Sequence, residues 1–268
     1  MALDNPLAIY KLLPKSNCQR CGVPTCLAFS AAVIKGDKFL KDCPHLDSRK
    51  ISQFEGKIIR QTSPEERSKQ VLEPLKKELR TVNFSASAER LGAALSHNKL
   101  TVKCLGKDFT VDAKGNVKSD CHINLSVIVP LLNYIIYSAG NEPSGKWVPF
   151  RELSSETIWD SFFLQRFEKP LKELTDAHPD LIEDMIHIFQ GRPVKTTFEA
   201  DISLVLHPLP KVPLLICYSK PAEDLESQFN VFFDETAGTN LGVDSIYRLC
   251  VGLLGMFQKI TERHLRSS

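Results

Sequence analysis

The sequence has no apolar run long enough to cross a bilayer as a helix. The longest apolar stretch, residues 123–139, is shorter than the ~20 residues that a span requires. It also contains Asn124, Ser126, Asn133 and a mid-run Pro130, so we expect a buried, kinked helix there. The first twenty residues lack the basic start, apolar run and cleavage site of a secretory signal. We therefore expect a soluble, cytoplasmic protein without a membrane partner.

A strong charge of either sign is also absent. The chain has 34 Lys and Arg against 32 Asp and Glu, and a net charge of +2 provides no general attraction for nucleic acid. A glycine-rich phosphate loop, a nucleophile elbow and a zinc-hydrolase motif are missing as well. The sequence therefore leaves open whether the protein is an enzyme, and it favours a carrier or binding protein.

Cysteine is scarce except near the amino terminus, where four of the eight cysteines lie within 26 residues. Their spacing is C-x2-C-x4-C-x16-C, at Cys18, Cys21, Cys26 and Cys43. A four-iron cluster needs four thiolates, and a short loop commonly supplies three while a more distant cysteine supplies the fourth. Pro24 suits the first turn of a helix that contains Cys26, whose free backbone N–H groups would face an anionic cluster. Gly36 is a suitable end for that helix.

Two other interpretations of the four cysteines remain open. Disulfides are disfavoured because reducing compartments keep thiols free. A structural zinc site also uses four thiolates, but it commonly takes them from two close pairs, whereas here three cysteines are close and one stands apart. The spacing therefore favours an iron–sulfur cluster over zinc. Five basic residues surround the motif and predict a solvated surface that could also attract an acidic partner: Lys15, Arg20, Lys35, Lys38 and Lys41.

The residues around the cysteines resemble a known family. The pattern C-x2-C-G-x3-C with a late C-P, flanked by "LLPKSNC" and "DCPHL", is similar to the small [4Fe-4S] domain of the corrinoid iron–sulfur protein large subunit. The same domain occurs in acetyl-CoA decarbonylase/synthase complexes and in the cluster-bearing subunit of Rnf-type complexes. The resemblance covers about the first 45 residues. It implies one [4Fe-4S] cluster with Cys18, Cys21, Cys26 and Cys43 as its ligands, and transfer of low-potential electrons.

The chain also departs from that family. It has no second four-cysteine run and no D-x-H-x-x-G corrinoid signature, since residues 176–181 read DAHPDL. Later phrases, "GKWVPFREL", "HPLPKVPLLICY" and "VFFDETA", resemble an uncharacterised domain that follows such cluster modules in anaerobic microbes. That resemblance implies no chemistry. We therefore expect no corrinoid bound by this chain itself.

The remaining sequence predicts an α+β fold. We expect a small helical cluster module at 1–50, a polar linker from about Asp47 to Glu66, and a larger α+β domain at 64–268 with a mostly antiparallel sheet. Helices are predicted near 64–80, 85–96, 123–139, 155–174 and 179–190, followed by an amphipathic carboxyl-terminal helix with Asp244 as its N-cap. A β-meander is predicted with strands near 100–104 and 109–111, separated by a turn, and further strands near 198–206, 214–219 and 229–233, with 214–219 in the middle of a sheet.

Candidate chemical groups in the larger domain are isolated. His207 and Asp201 share a strand face but lie too far apart along it to act as a pair. Asp234 is expected to cap a turn, and Trp147 and Trp159 to lie in the core. Three cysteines on apolar faces predict buried thiols: Cys104, Cys217 and Cys250. The dipeptide Cys121-His122 at a helix start is the one additional metal or redox candidate.

These observations predict a [4Fe-4S] electron-transfer protein of an anaerobic cytoplasm. Its expected partner is a redox protein, with a corrinoid or one-carbon enzyme suggested by resemblance. The alternative is a cluster-regulated enzyme or small-molecule sensor with a pocket lined by Asp201, His207, Asp234 or Trp147. A third alternative is a structural zinc module on an interaction protein.

Overall fold

The computed structural model describes residues 3–59, 64–121, 123–153, 158–222 and 225–267. Contacts divide the chain into two units, Met1–Gln70 and Val71–Ser268. The domain bounds 1–50 and 64–268 remain a prediction. Within the described residues, no helix is long and apolar enough to cross a membrane.

The unit Met1–Gln70 is built from short capped helices. Its helices are α1 (Pro6–Tyr10), α2 (Cys26–Lys35) and α3 (Ser48–Phe54), with 3-10 turns at Leu40–Asp42 and Glu55–Lys57. The side chains of Asn5, Thr25 and Asp47 accept hydrogen bonds from backbone N–H groups at the three helix starts. Gly36 has a φ of 85° at the C-cap of α2, as predicted.

A small apolar core holds these helices together. Its buried members are Leu3, Ile9, Leu13, Cys26, Phe29, Val33, Ile34, Leu40 and Cys43. Ile51 and Phe54 of α3 pack against this core, so the predicted polar linker is wrong over α3. The reason is that Asp47 caps a helix whose two apolar residues lie three apart and face the same side. Residues 60–63 of the predicted linker lie outside the described residues.

The unit Val71–Ser268 begins with helices and a small antiparallel sheet. Helix α4 (Pro64–Leu79) contains the boundary between the units and is followed by α5 (Phe84–Leu91). Residues 85–96 were predicted as one helix, but Gly92, with a φ of 63°, ends α5. The first sheet follows in the order β1 (Ala94–Ser96), β2 (Lys99–Cys104), β3 (Lys107–Asp112) and β4 (Val117–Lys118).

A buried helix and a five-stranded sheet form the main core. Helix α6 (Leu125–Tyr137) contains Pro130 and is capped by the Asn124 side chain. The sheet has the order β5-β9-β8-β7-β6, and each pair is antiparallel. Its strands are β5 (Trp147–Pro149), β6 (Arg192–Pro193), β7 (Ile202–Leu209), β8 (Val212–Ser219) and β9 (Gln228–Asp234). Strand β8 is central and buried on both faces, as its apolar sequence predicted.

Helices cover this sheet. They are α7 (Ile158–Phe163), a π-helical turn at Leu164–Glu168, α8 (Lys169–Ala177), α9 (Leu181–His187), α10 (Ala237–Leu241) and α11 (Val243–Ser267). The predicted face of α11 is buried, whereas Asp244 lies in its first turn and not at the N-cap. The α+β fold class with antiparallel sheets is confirmed.

Candidate iron–sulfur site

The four amino-terminal cysteines line one cavity. Cys18 and Cys21 lie in the loop before α2, Cys26 is the first residue of α2, and Cys43 follows the 3-10 turn Leu40–Asp42. The space inside the cavity, including its opening to solvent, is about 300 Å³. The structure therefore brings together four cysteines from a 26-residue segment of the chain.

The four cysteines differ in their exposure to solvent. Cys18 is exposed and Cys21 is half-buried, whereas Cys26 and Cys43 are only 8% and 6% exposed. In the described part of the chain, no three His, Cys, Asp or Glu side chains gather closely enough to hold a single metal ion. The thiols are thus spread around the wall of a cavity that opens to solvent beside Cys18.

The loop that carries Cys18 and Cys21 has an unusual backbone. Lys15, Asn17 and Gln19 have φ values of 62°, 49° and 61°, and Gly22 has a φ of 79°. Every second residue from 15 to 19 is therefore left-handed. In concave anion-binding loops, left-handed residues alternate with right-handed ones, and residues 15, 17 and 19 supply left-handed positions of that kind. The loop is suited to an anionic group held by thiolates.

One hydrogen bond connects this loop to the start of α2. The Cys26 backbone N–H donates to Oδ1 of Asn17 at 2.8 Å, and the Ala28 N–H donates to the Thr25 hydroxyl at 3.0 Å. Thr25 is the N-cap, so Pro24 precedes the helix and its predicted place in the first turn is wrong. These two amides already have acceptors, so any amide stabilisation of an anion comes chiefly from the loop.

Basic side chains surround the cavity, and one is close to the cysteine loop. A Cβ atom placed on Gly22 would lie 3.6 Å from the ammonium nitrogen of Lys38, which puts this cation beside Cys21. The other four predicted basic residues are exposed, in agreement with the predicted solvated surface: Lys15, Arg20, Lys35 and Lys41. Lys38 is thus a cation beside the cysteine loop, and the charge of Arg20 also acts on this loop because it helps to lower the pKa of Cys18.

Cys18 is in a setting that favours its thiolate. A hydrogen bond from the Arg20 backbone and another from the Ser16 side chain lower the pKa of Cys18 below its ordinary value, against a small opposing effect of desolvation. A thiolate is the form that binds metals. Four thiols, a concave backbone and a nearby cation fit an anionic cluster held by four thiolates.

The candidates in the larger unit do not form a site together. His207 lines a separate cavity with Lys103 and Arg192, and burial followed by the charge of Arg192 lowers its pKa. Oδ2 of Asp201 instead accepts a hydrogen bond from the Lys220 backbone N–H at 2.8 Å. Trp147 packs in a small apolar cluster on one face of the sheet. The side chain of Trp159 and all of His122 lie outside the described residues.

Asp234 has the structural role predicted for it. Its buried carboxylate accepts hydrogen bonds from the Thr236 backbone N–H and hydroxyl, at 3.0 and 2.7 Å. It also accepts the backbone N–H groups of Ser144 and Gly145, at 3.1 and 2.7 Å. Burial alone would raise the pKa of Asp234, but these donors lower it. Asp234 therefore fixes the end of β9 and the loop before β5.

The three cysteines predicted as buried thiols are buried. Cys104 and Cys217 are 3% exposed and Cys250 is 1% exposed. Burial raises the pKa of all three, and that of Cys104 reaches about 12. Cys121 is half-buried and lies in the wall of a cavity with Cys104.

The comparisons with known proteins agree with this site. Residues 13–45 match a family model described as "Putative Fe-S cluster". Residues 83–256 match the family described as a domain of unknown function, DUF3786. That match covers more than half of the chain, so the chain belongs to the DUF3786 family, and it carries an iron–sulfur module before that domain.

Three curated proteins are similar to this chain over part of its length. The chain is 43% identical to the acetyl-CoA decarbonylase/synthase complex subunit gamma of Methanocaldococcus jannaschii over 56 residues, which are 21% of this chain and 12% of that protein. It is 32% identical to subunit gamma 1 of Methanosarcina thermophila over 126 residues, 46% of this chain and 24% of that protein. It is 52% identical to the corrinoid/iron-sulfur protein large subunit of Moorella thermoacetica over 40 residues, 15% of this chain and 9% of that protein.

The family resemblance predicted from the cysteine motif is therefore confirmed. The chain matches between 9% and 24% of the length of these three relatives. No solved structure matches this chain. The likeness supports an iron–sulfur cofactor.

Proposed function

We propose that the protein binds one [4Fe-4S] cluster through Cys18, Cys21, Cys26 and Cys43 and carries single electrons to or from a redox partner. The supporting observation is that all four thiols line one cavity beneath a loop with alternating left-handed residues. When bound, the cluster would take up one electron from a reduced donor and pass it to an acceptor, changing between the 2+ and 1+ core states.

Different residues around the cavity would have different roles in holding the cluster. Cys26 and Cys43 are buried beside Leu13 and Phe29, which keep water from the inner side of the cavity. Cys18 is exposed, so its side of the cavity is the side that a partner can approach. The ammonium group of Lys38 would partly offset the negative charge of four thiolates.

We further propose that the partner is a corrinoid or one-carbon enzyme in an anaerobic cytoplasm. The support comes from the relatives, which are named as subunits of acetyl-CoA decarbonylase/synthase complexes and as a corrinoid/iron-sulfur protein. An anaerobic pull-down with the cluster-loaded protein should retain such an enzyme, and that enzyme should oxidise the reduced protein. A retained protein that exchanges no electron with the cluster would contradict this assignment.

Cofactor analysis tests the cluster itself. Protein purified without oxygen should be brown, absorb broadly near about 400 nm and contain about four iron and four sulfide per chain. Cys26→Ala should lose iron and sulfide, whereas the matched control Cys121→Ala, outside the site, should keep both. A colourless protein with about one zinc per chain and no sulfide would overturn the proposal in favour of a structural zinc site.

A further inference from the structure

A second cavity lies entirely within the unit Val71–Ser268. It is bounded by the β2–β3 hairpin, the start of α6 and the last turns of α11, and its volume including the open mouth is about 990 Å³. Its wall is apolar and well packed, with buried Phe109, Val127 and Phe189 beside half-buried Ile260.

The mouth of this cavity is positively charged. Lys107, Lys259 and Arg263 line it together with a single carboxylate, that of Asp120, and all four are exposed. Lys107 and Lys259 take part in no ion pair among the residues that the structure describes. The unit as a whole has 22 basic and 25 acidic residues, so the positive charge is a local property of the mouth.

The hairpin side of the cavity is held in place by the backbone. Leu105 and Gly106 form the β2–β3 turn with φ values of 48° and 72°, and the Leu105 N–H donates to the His207 carbonyl oxygen at 3.1 Å. This turn places Lys107 at the mouth directly after the buried Cys104 and Leu105. The apolar wall and the cationic mouth are therefore present before any ligand binds.

We infer that this cavity binds an amphipathic organic anion, with an apolar body of about eight to ten carbon atoms and one carboxylate at its end. The apolar body lies against Phe109, Phe189 and Ile260, where its burial removes apolar surface from water. The carboxylate lies at the mouth between Lys107 and Lys259, where charge complementarity fixes its orientation. This site is independent of the cysteine cavity and does not rest on the proposed electron transfer.

Binding can be measured on the full cluster-loaded protein by anaerobic calorimetry with octanoate as the probe. Octanoate should bind saturably at one site per chain, and two matched compounds should bind at least tenfold more weakly. Octanol has the apolar body without the charge, and acetate has the charge without the body. Equal binding of octanol and octanoate, or no saturable heat from octanoate, would overturn the inference.

Alkylation of Cys121 locates the site. Cys121 lies half-buried in the cavity wall, so bound octanoate should slow its reaction with iodoacetamide at least fivefold, as followed by peptide mass spectrometry. Cys104 serves as the internal reference, because burial raises its pKa to about 12 and keeps it unreactive. Octanoate that binds without slowing the reaction of Cys121 occupies another site and would overturn the assignment to this cavity.

Charge reversal at the mouth separates specific recognition from general attraction. Lys259→Glu should weaken octanoate binding at least tenfold, whereas Lys195→Glu, an exposed lysine that does not line the cavity, should change it less than twofold. Circular dichroism should show that both variants are folded, and Lys107→Glu replaces Lys259→Glu if that variant is not. Equal affinity of the mouth and control variants would contradict the role of the mouth.

Discussion

At the scale of single residues, Lys38 is a charge that lies close to the cysteine loop. Its ammonium nitrogen lies beside Gly22, next to Cys21. Lys38→Met removes one positive charge and makes an added electron less favourable. We expect the reduction potential to fall by roughly a few tens of mV, since the loss of a nearby unit charge in a partly solvated site is worth on the order of 1 kcal/mol. An anaerobic redox titration followed by electron paramagnetic resonance measures this shift.

Lys35→Met is the matched control for that titration. Lys35 lies at the other end of α2 from Cys26, about 13 Å along the helix, and is exposed. Solvent and salt screen a charge at that distance, so its removal should change the potential by less than about 10 mV. Equal shifts in the two variants would show that only the net charge of the unit matters.

Asn17 is the residue that joins the loop to α2. It accepts the Cys26 N–H at 2.8 Å and has a φ of 49°, which asparagine tolerates better than alanine does. Asn17→Ala loses both properties, whereas Asn17→Gly loses only the hydrogen bond. We therefore expect the rate of iron loss to a chelator to rise in the order wild type, Asn17→Gly, Asn17→Ala. A rate for Asn17→Gly as high as that for Asn17→Ala would assign the whole effect to the hydrogen bond.

Asn17 and the particular position of Lys38 are parts of the cysteine site that sequence analysis did not predict. The four cysteines are recognisable because their type and spacing are visible in the chain. Asn17 and Lys38 have no such pattern, since Asn17 contacts a residue nine positions away and Lys38 lies beside a loop sixteen positions earlier. Their roles depend on the path of the folded loop, which residue type alone does not fix.

At the scale of elements, the π-helical turn Leu164–Glu168 places a carboxyl group against the sheet. Oε1 of Glu168 accepts the Val231 backbone N–H of β9 at 3.0 Å. Burial raises the pKa of Glu168, the Val231 hydrogen bond lowers it in part, and the nearby charge of Asp160 raises it further. A carboxyl group whose pKa is raised on folding stabilises the fold below its unfolded pKa of about 4.3, and this contribution is lost as the pH rises through the folded value.

Glu168→Gln should therefore become more stable relative to wild type as the pH rises from 4 to 8. Glutamine keeps an oxygen for the Val231 N–H but never carries the buried charge. Glu168→Ala removes the same titrating charge and should follow the same pH trend, but it leaves that N–H without its acceptor and should be about 1–3 kcal/mol less stable than Glu168→Gln at every pH. Urea unfolding at several pH values measures both effects. A constant difference between Glu168→Gln and wild type would mean that folding does not shift the pKa of Glu168.

Elements with strong periodic patterns were predicted well, and short ones were not. The buried face of α11 and the central position of β8 follow directly from apolar spacing. Helix α3 was missed because Ile51 and Phe54 are too few to stand out in a polar segment. The helix predicted to Ser96 ends early because a left-handed Gly92 leads into β1, and a helical pattern alone does not reveal that strand.

At the scale of the whole molecule, the two units have separate cores and differ in what stabilises them. Among its described residues, the unit Met1–Gln70 has nine that are buried in its core, and two of these are the cysteines Cys26 and Cys43. We therefore expect cluster ligation to supply much of its folding free energy. Anaerobic calorimetry of the full chain should show two transitions, and Cys26→Ala should lower or abolish only one of them, by more than about 10 °C.

Cys121→Ala is the control for this experiment, because Cys121 lies in the other unit and not in the cysteine cavity. It should leave the cluster-dependent transition unchanged. A Cys26→Ala protein that keeps both transitions at their wild-type temperatures would show that the small apolar core suffices without the cofactor.

The unequal exposure of the four cysteines has a consequence for how a cluster would be inserted and how it would be lost. Cys18 is exposed, whereas Cys26 and Cys43 are shielded on the inner side of the cavity. Oxidants and chelators therefore reach a bound cluster first on the side of Cys18. A protein that delivers preassembled iron and sulfide would also approach from that side. Loss of iron from the cluster and insertion of a new cluster would both begin at Cys18.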